Sequence, residues 1–126
     1  MKRGWIALAM IALSLILGGI EYGYVTMNVD AYVQMLDDAD DKMTHSLVYE
    51  AQSVAERLDN RFRKQSGIFN IFMYHSEVGH ISSDLAMLRR YAQTGSVEEF
   101  LATSACAKRE ILTIRDAKLL KWENIF

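Results

Sequence analysis

The chain has 126 residues, of which 14 are lysine or arginine and 16 are aspartate or glutamate, and its formal charge is −2. This mildly acidic balance makes it a poor candidate for binding nucleic acid, because such proteins concentrate positive charge. It contains no proline, and that absence favours long uninterrupted helices. The single cysteine, Cys106, cannot form an internal disulfide, and we expect it to be a small buried residue.

The first feature along the chain is an apolar run from Gly4 to Ile20 that contains no charged residue. The run reaches the lower length limit for a helix that crosses the hydrocarbon core of a membrane. Trp5 lies at its start, and Tyr22 and Tyr24 follow its end, so aromatic rings fall near both lipid–water interfaces. The run therefore predicts a transmembrane helix.

The charges on either side of the run predict its orientation. Lys2 and Arg3 precede it, whereas Glu21 is the first charge after it. Because positive flanking residues stay in the cytoplasm, we expect a single-pass protein of the cell membrane with a cytoplasmic anchor end. The anchor is expected over residues 1–27 and an extracytoplasmic domain over residues 28–126. Beyond Arg3 the chain carries 12 basic and 16 acidic residues, which also makes it a poor candidate for binding anionic lipid.

A cleaved secretory signal is the alternative interpretation of the same run, since it also has a basic start and an apolar core. However, no pair of small residues of the A-x-A type closes the run, and no cysteine precedes Cys106. The uncleaved anchor is therefore the preferred interpretation.

After the run, apolar residues recur at helical spacing in four stretches, each giving one stripe on a helix. Short turns between helices make neighbours antiparallel. We therefore expect an all-α fold with an N-terminal transmembrane helix followed by an antiparallel bundle of about three to four helices. The stripes are Val29, Tyr32, Val33, Leu36, Ala39 and Met43; Leu47, Ala51, Val54, Leu58 and Phe62; Val78, Ile81, Leu85 and Leu88; and Phe100, Ser104, Ala107, Ile111 and Ile114.

Capping residues and glycines indicate where these helices begin and end. Thr44 is a plausible N-cap for the second helix, and Gly67 interrupts its pattern. The third helix is expected over His75 to Ala92, and Gly95 fits the left-handed position after a helix end. The fourth is expected to end at about Lys118, with the hydroxyl of inward-facing Ser104 bonded back to its own helix.

Two further segments of the chain are apolar, residues 68–74 and the tail from residue 119. Core packing is the simpler explanation of the first, with a partner-binding patch or an interfacial membrane contact as alternatives. The tail is expected to fold back onto the bundle. An apolar contact surface, if one exists, is predicted at Ile68, Phe69, Phe72, Trp122 and Phe126.

Two groups of polar residues have some features of cation sites. The acidic cluster before Lys42 lacks the glycine turn and terminal glutamate of a calcium loop, so a solvated helix end is the simpler interpretation. Glu77 and His80 form one E-x-x-H motif near His75, whereas di-metal bundles use two such motifs and further glutamates. The cluster comprises Asp37, Asp38, Asp40 and Asp41.

The sequence contains no catalytic triad with interpretable spacing, no phosphate-binding glycine loop and no paired cysteine motif. It therefore predicts no enzyme activity, no cofactor and no metal site.

Three motifs carry a resemblance to a known family. They are H-x-E-V-x-x-I from His75 to Ile81, L-x-x-L-R-R-Y from Leu85 to Tyr91, and L-x-x-E-N-I-F from Leu120 to Phe126. With the basic start and the apolar run, they resemble an uncharacterised family of short single-span membrane proteins of clostridia-like Gram-positive bacteria, domain of unknown function 4363. The resemblance implies a helical remainder, no assigned activity and an integral-membrane partner, because members are often encoded beside a multi-spanning membrane protein.

We therefore expect a membrane-anchored, non-enzymatic accessory or scaffold protein that contacts the lipid bilayer and an integral-membrane partner. Confinement to the membrane raises the effective concentration of such a pair. The alternative is an extracytoplasmic sensor, or a bundle that binds a ligand or a cation.

Overall fold

The computed structural model describes the backbone of residues 2–125 and their side chains, except those of Phe72, Lys118, Leu119 and residues 121–125. This part of the chain forms four helices, α1 (Lys2–Thr44), α2 (Val48–Phe72), α3 (His75–Thr94) and α4 (Val97–Ile125), and no strand. α1 and α3 each pack against both α2 and α4. Because the connecting turns are short, successive helices are antiparallel. The all-α fold is confirmed.

α1 is one continuous helix of 43 residues whose two halves have different surroundings. Its apolar N-terminal window is not buried by the rest of the protein, and its buried residues begin at Val25 and end at Met43. By length and composition the exposed half is able to cross a membrane. The helix continues without interruption from this half into the bundle.

The bundle encloses one core to which all four helices contribute. The predicted stripes are confirmed at nearly every position, since their members are buried along α1, α2, α3 and α4. Val33 packs against the edge of the core, and Leu47 remains 45% exposed because it lies in the turn before α2.

Aromatic rings gather at one end of the core. The ring centroid of Phe69 lies 5.4 Å from that of Phe62 and 5.7 Å from that of Tyr24. We call this region the junction end, because α1 leaves the bundle here, and the α2–α3 turn also lies here. The turns that follow α1 and α3 lie at the opposite, far end. A small recess at the junction end is lined by residues from all four helices, among them Val25, Phe69, Ile81 and Ile114.

The α1–α2 turn differs from the prediction that Thr44 caps α2. Thr44 is instead the last residue of α1, and its hydroxyl donates to the carbonyl oxygen of Asp40 at 2.8 Å. Ser46 has a left-handed φ of 63°, and the amide of Leu47 donates to the carbonyl oxygen of Lys42 at 2.8 Å. This is a Schellman termination in which serine takes the position that glycine usually occupies.

Of three further predictions about helix ends, one is confirmed and two are wrong. Gly95 follows α3 with a left-handed φ of 70°, as predicted. Gly67 does not interrupt α2, which continues to Phe72, and α4 continues past Lys118 to Ile125. The side chains that would show whether the tail contacts the bundle lie outside the described ones.

Two predictions about side chains of α4 are wrong. Cys106 is exposed rather than buried, because it lies on the outer face of the helix. Ser104 is fully buried as expected, but its hydroxyl oxygen has no hydrogen-bond partner among the described residues.

Candidate functional site

The exposed half of α1 carries the residues predicted to lie at the membrane interfaces. Lys2, Arg3 and Trp5 are exposed at its start, with Trp5 76% exposed. Tyr22 and Tyr24 are half-buried where the helix enters the bundle. Trp5 and Tyr22 are about 25 Å apart along the helix axis, at about 1.5 Å per residue. This separation is close to the thickness of a hydrocarbon core.

The structure separates the residues predicted to contact a partner. Phe69 is only 4% exposed and belongs to the core, so it cannot contact a partner while the bundle is closed. Ile68 is 44% exposed and remains available. The side chains of Phe72 and Trp122 and the whole of Phe126 lie outside the described part of the chain.

Three exposed apolar side chains of the α2–α3 corner and the end of α4 were not among those predicted residues. They are Ile71, which is 75% exposed, Tyr74, which is 77% exposed, and Leu120, which is 60% exposed. All of residues 68–74 except Asn70 are apolar or aromatic, so spacing alone does not distinguish an inward from an outward position in this segment.

A polar network locks α1 to α2 near the point where α1 leaves the bundle. Asn28 is only 8% exposed, and its amide oxygen accepts a hydrogen bond from Gln65 at 2.8 Å. The hydroxyl of Tyr32 donates to the amide oxygen of Gln65, and Arg61 lies over the Tyr32 ring at 5.1 Å. Burial raises the pKa of Tyr32, although Arg61 opposes this. The hydroxyl therefore stays protonated and remains a donor.

The acidic cluster near the far end is matched by basic side chains. Lys108 of α4 bridges two of its carboxylates, at 2.9 Å from Asp37 and 2.8 Å from Asp40. Partial burial opposes the charged form of Lys108, but its hydrogen bonds to Asp40 and Asp37 outweigh this and raise the pKa of the ammonium. Lys42 pairs with Asp38 at 2.9 Å. These ion pairs favour the interpretation of the cluster as the end of a helix, with carboxylates paired to lysines, over a cation site.

An open cleft between α3 and α4 contains part of the histidine group considered as a cation site. Glu77 and His80 line it together with Arg109 and Glu110. His75 instead has its Nδ1 3.3 Å from the amide oxygen of Asn70. No group of three or more potential ligands is positioned to hold a metal within the part of the chain that the structure describes.

Two carboxyl groups are neighbours beside this cleft. One oxygen of Asp84 and one of Glu110 are buried without a hydrogen-bond partner among the described residues. Burial raises the pKa of Glu110, and the adjacent Asp84 raises it further, whereas His80 and Arg109 act in the opposite direction. The pair is therefore a place where protonation affects the contact between α3 and α4.

A buried ion triad joins α2 to α3 and was missed by the sequence analysis. Asp59 is 2% exposed, and its carboxylate lies 3.2 Å from Arg63 and 3.3 Å from Arg89. Its position in the sequence could have indicated this burial. Asp59 follows Leu58 and lies four residues after buried Ala55, on the inner face of α2.

The comparisons with known proteins concern the bundle more than the exposed half of α1. No curated protein and no solved structure matches the chain. A family model described as "Domain of unknown function (DUF4363)" matches residues 20–125. This match begins at the last residue of the apolar run and includes all of α2, α3 and α4. Because it covers most of the sequence, and in agreement with the resemblance in its motifs, the chain belongs to the DUF4363 family.

Proposed function

We propose that this protein is a membrane-anchored, non-enzymatic accessory or scaffold subunit that displays its bundle on the extracytoplasmic face and binds an integral-membrane partner. The observation that carries the proposal is the continuity of α1. A single helix supplies both an exposed apolar half and one side of the bundle core. Such a helix holds the bundle at a defined height and rotation relative to the membrane.

The polar network at the junction end supports this rigid connection. Asn28 and Gln65 join α1 to α2, and the Tyr24 and Phe69 rings pack together at the same level. A rotation of α1 within the bundle would break these contacts. A partner in the same membrane would therefore meet one orientation of the bundle, and confinement would favour even a weak contact.

Exposed Cys106 provides a direct test of orientation, because it is the only cysteine. We expect a membrane-impermeant maleimide to label it in intact cells after removal of the cell wall, with no further labelling after permeabilisation. Cys106→Ser gives the background. Labelling that requires permeabilisation would place the bundle in the cytoplasm and contradict this part of the proposal.

The partner is tested by crosslinking in native membranes followed by purification of a tagged chain. One variant replaces residues 4–20 with an unrelated apolar helix of equal length, which preserves the height and rotation of the bundle. A second variant inserts two alanines after Ile20, which rotates the bundle by about 200° relative to the anchor. A tagged single-span protein with an unrelated anchor and without the bundle is the control for non-specific recovery.

Each result assigns the recognition surface or removes the proposal. Recovery of the same integral-membrane protein with the native and exchanged anchors would place recognition in the bundle, and its loss on rotation would show that orientation matters. Recovery only with the native anchor would place recognition in the apolar half of α1. The accessory-subunit proposal is contradicted if no integral-membrane protein is recovered above the control.

The alternative, a sensor or cation-binding bundle, is favoured by one observation. Glu77, His80 and Glu110 line an open cleft, and one buried oxygen of Asp84 and one of Glu110 lack a hydrogen-bond partner among the described residues. A cation that binds only the folded state raises its apparent stability. Thermal unfolding with calcium, magnesium, manganese or zinc would show such a rise, and the absence of any shift at millimolar concentrations would eliminate this alternative.

A further inference from the structure

The α2–α3 corner presents large apolar side chains that the bundle does not cover. Ile68, Ile71 and Tyr74 are 44%, 75% and 77% exposed, whereas Phe69 between them is 4% exposed. The corner is therefore already anchored to the core through Phe69, and its remaining apolar side chains point away from the core. Such a cluster indicates a contact with something outside the bundle.

The register between α1 and α2 gives the height of this corner. Phe69 packs against Tyr24, and the two helices run in opposite directions with the same rise per residue. Each step forward along α2 therefore matches one step backward along α1. Ile71 comes level with Tyr22, and the turn at Tyr74 comes close to the level of Ile20. The exposed corner thus lies beside the end of the apolar run.

α4 reaches the same level on another side of α1. Ile114 and Val25 line the same recess, and α4 continues beyond Ile114 to Ile125. At about 1.5 Å per residue, that continuation extends roughly 16 Å past the recess. Exposed Leu120 then lies near the level of Gly19. The last turns of α4 accordingly run alongside the exposed half of α1.

The charges around the bundle fit an interface at this end. The acidic cluster lies toward the far end, where α1 finishes. Lys64 is exposed on α2, about 10 Å further from the corner than Ile71 at the rise of a helix. A basic side chain above a band of aliphatic and aromatic residues is typical of segments that lie at the boundary of lipid and headgroups. The junction end carries charges of both signs, since Glu77 lies in the first turn of α3 and Arg115 pairs with Asp116 on α4.

We propose that the junction end is seated in the lipid interface of the bilayer that α1 spans, with Ile68, Ile71, Tyr74 and Leu120 in contact with lipid. This inference rests on the proposed membrane span. It adds two contacts, from the α2–α3 corner and from the end of α4, to the single helix that the apolar run indicates. The bundle then lies directly on the membrane, and its far end is the part most accessible to the surroundings.

Spin labels in the full-length chain test this arrangement in liposomes of phosphatidylcholine and phosphatidylglycerol. In a Cys106→Ser background, single cysteines are placed by Ile71→Cys, by Tyr49→Cys and by Ile11→Cys. Tyr49 is the matched control, because it also lies on α2 but near the far end and is 88% exposed. Ile11 reports on the proposed span. The accessibility of each label to oxygen and to a polar nickel complex is measured by electron paramagnetic resonance.

We expect the label at residue 71 to be several-fold more accessible to oxygen, relative to the nickel complex, than the label at residue 49. If the label at residue 71 has the same accessibility as the label at residue 49, while the label at residue 11 lies in hydrocarbon, the junction end does not contact the lipid interface. This inference is then wrong, and the proposed span is retained. If residue 11 is itself accessible to the nickel complex, the proposed span fails. If protection at residue 71 disappears when the protein is diluted in lipid, a second copy covers the corner and the inference is also overturned.

Discussion

Asp59 is a charged residue whose side chain is buried between α2 and α3. Its carboxylate is removed from water, whereas the side chains of Arg63 and Arg89 remain 63% and 35% exposed. The aspartate therefore bears most of the desolvation cost, and both arginines are needed to offset it. Since Arg89 belongs to α3, the triad also determines how α2 and α3 pack together.

Replacing Arg89 alone should therefore lower the free energy of unfolding more than replacing Arg89 and Asp59 together. We expect Arg89→Met to lower the free energy of unfolding by about 2 kcal/mol, because a buried carboxylate loses one of its two partners. Adding Asp59→Asn to the same chain should recover most of that loss. Urea unfolding followed by circular dichroism in detergent measures both. The matched control is Arg90→Met, at the exposed neighbouring position; equal losses from Arg89→Met and Arg90→Met would contradict this account.

Glu110 predicts a dependence of stability on pH. Its pKa is raised above the ordinary 4.5, first by burial and then by Asp84. The folded state therefore binds the Glu110 proton more tightly than the unfolded state does. The resulting stabilisation is complete below about pH 4.5 and is lost as pH rises through the raised pKa. Above the raised pKa the charged carboxylate weakens the contact between α3 and α4.

We expect Glu110→Gln to raise the free energy of unfolding at pH 7 by about 1 kcal/mol, at the low end of the cost of an unpaired buried polar atom. The gain should shrink as pH falls, because Glu110 then becomes neutral in the native protein as well. Urea unfolding across this pH range measures the difference. Glu98→Gln, at an exposed position of α4, is the control. A gain that stays constant with pH would rule out protonation of Glu110 as its cause.

At the scale of the helices, periodicity predicted the inward faces because burial selects apolar residues at 3.6-residue spacing. Leu85 and Leu88 on α3 are fully buried at predicted positions. The helix ends were harder to predict. An exposed glycine such as Gly67 lowers helix stability by only about 1 kcal/mol, so it does not have to end a helix. Ser46 adopts a left-handed conformation without the glycine that would have indicated it.

The candidate site was only partly predictable for related reasons. The apolar run of α1 is evident from composition, but the segment from Ile68 to Tyr74 is apolar on several faces. Only its packing against Tyr24 shows that Phe69 points inward while Ile71 points outward. Asp59 was missed because a charged residue beside a stripe is usually solvated, and its burial depends on Arg89 of another helix.

The α1–α2 turn gives a prediction at this scale. A residue other than glycine in the left-handed region costs roughly 1 kcal/mol, because its Cβ approaches the backbone. We therefore expect Ser46→Gly to raise the free energy of unfolding by up to about 1 kcal/mol. Thr44→Gly, inside the last turn of α1, should instead lower it by a similar amount. Both are measured by urea unfolding, and a loss of stability in Ser46→Gly would show that the serine side chain contributes more than its conformation costs.

At the scale of the whole molecule, α1 has two parts, an exposed apolar half and a half that belongs to the core of the bundle. Its residues from Val25 onward are part of the core, and the family match begins at residue 20. The exposed half contributes no buried apolar residue to the bundle. The bundle should therefore fold without the apolar run.

We accordingly expect a fragment of residues 22–126 to fold into a helical bundle that unfolds cooperatively. A fragment of residues 33–126 should be less stable by several kcal/mol, because it loses Val25, Val29 and Tyr32, and each fully buried side chain contributes about 1.5–3 kcal/mol. Circular dichroism and urea unfolding compare the two fragments in a mild detergent that covers the exposed apolar side chains of the junction end. If the fragment of residues 22–126 does not unfold cooperatively, the bundle depends on the apolar half of α1. The separation of the molecule into an anchor and an independently stable bundle is then wrong.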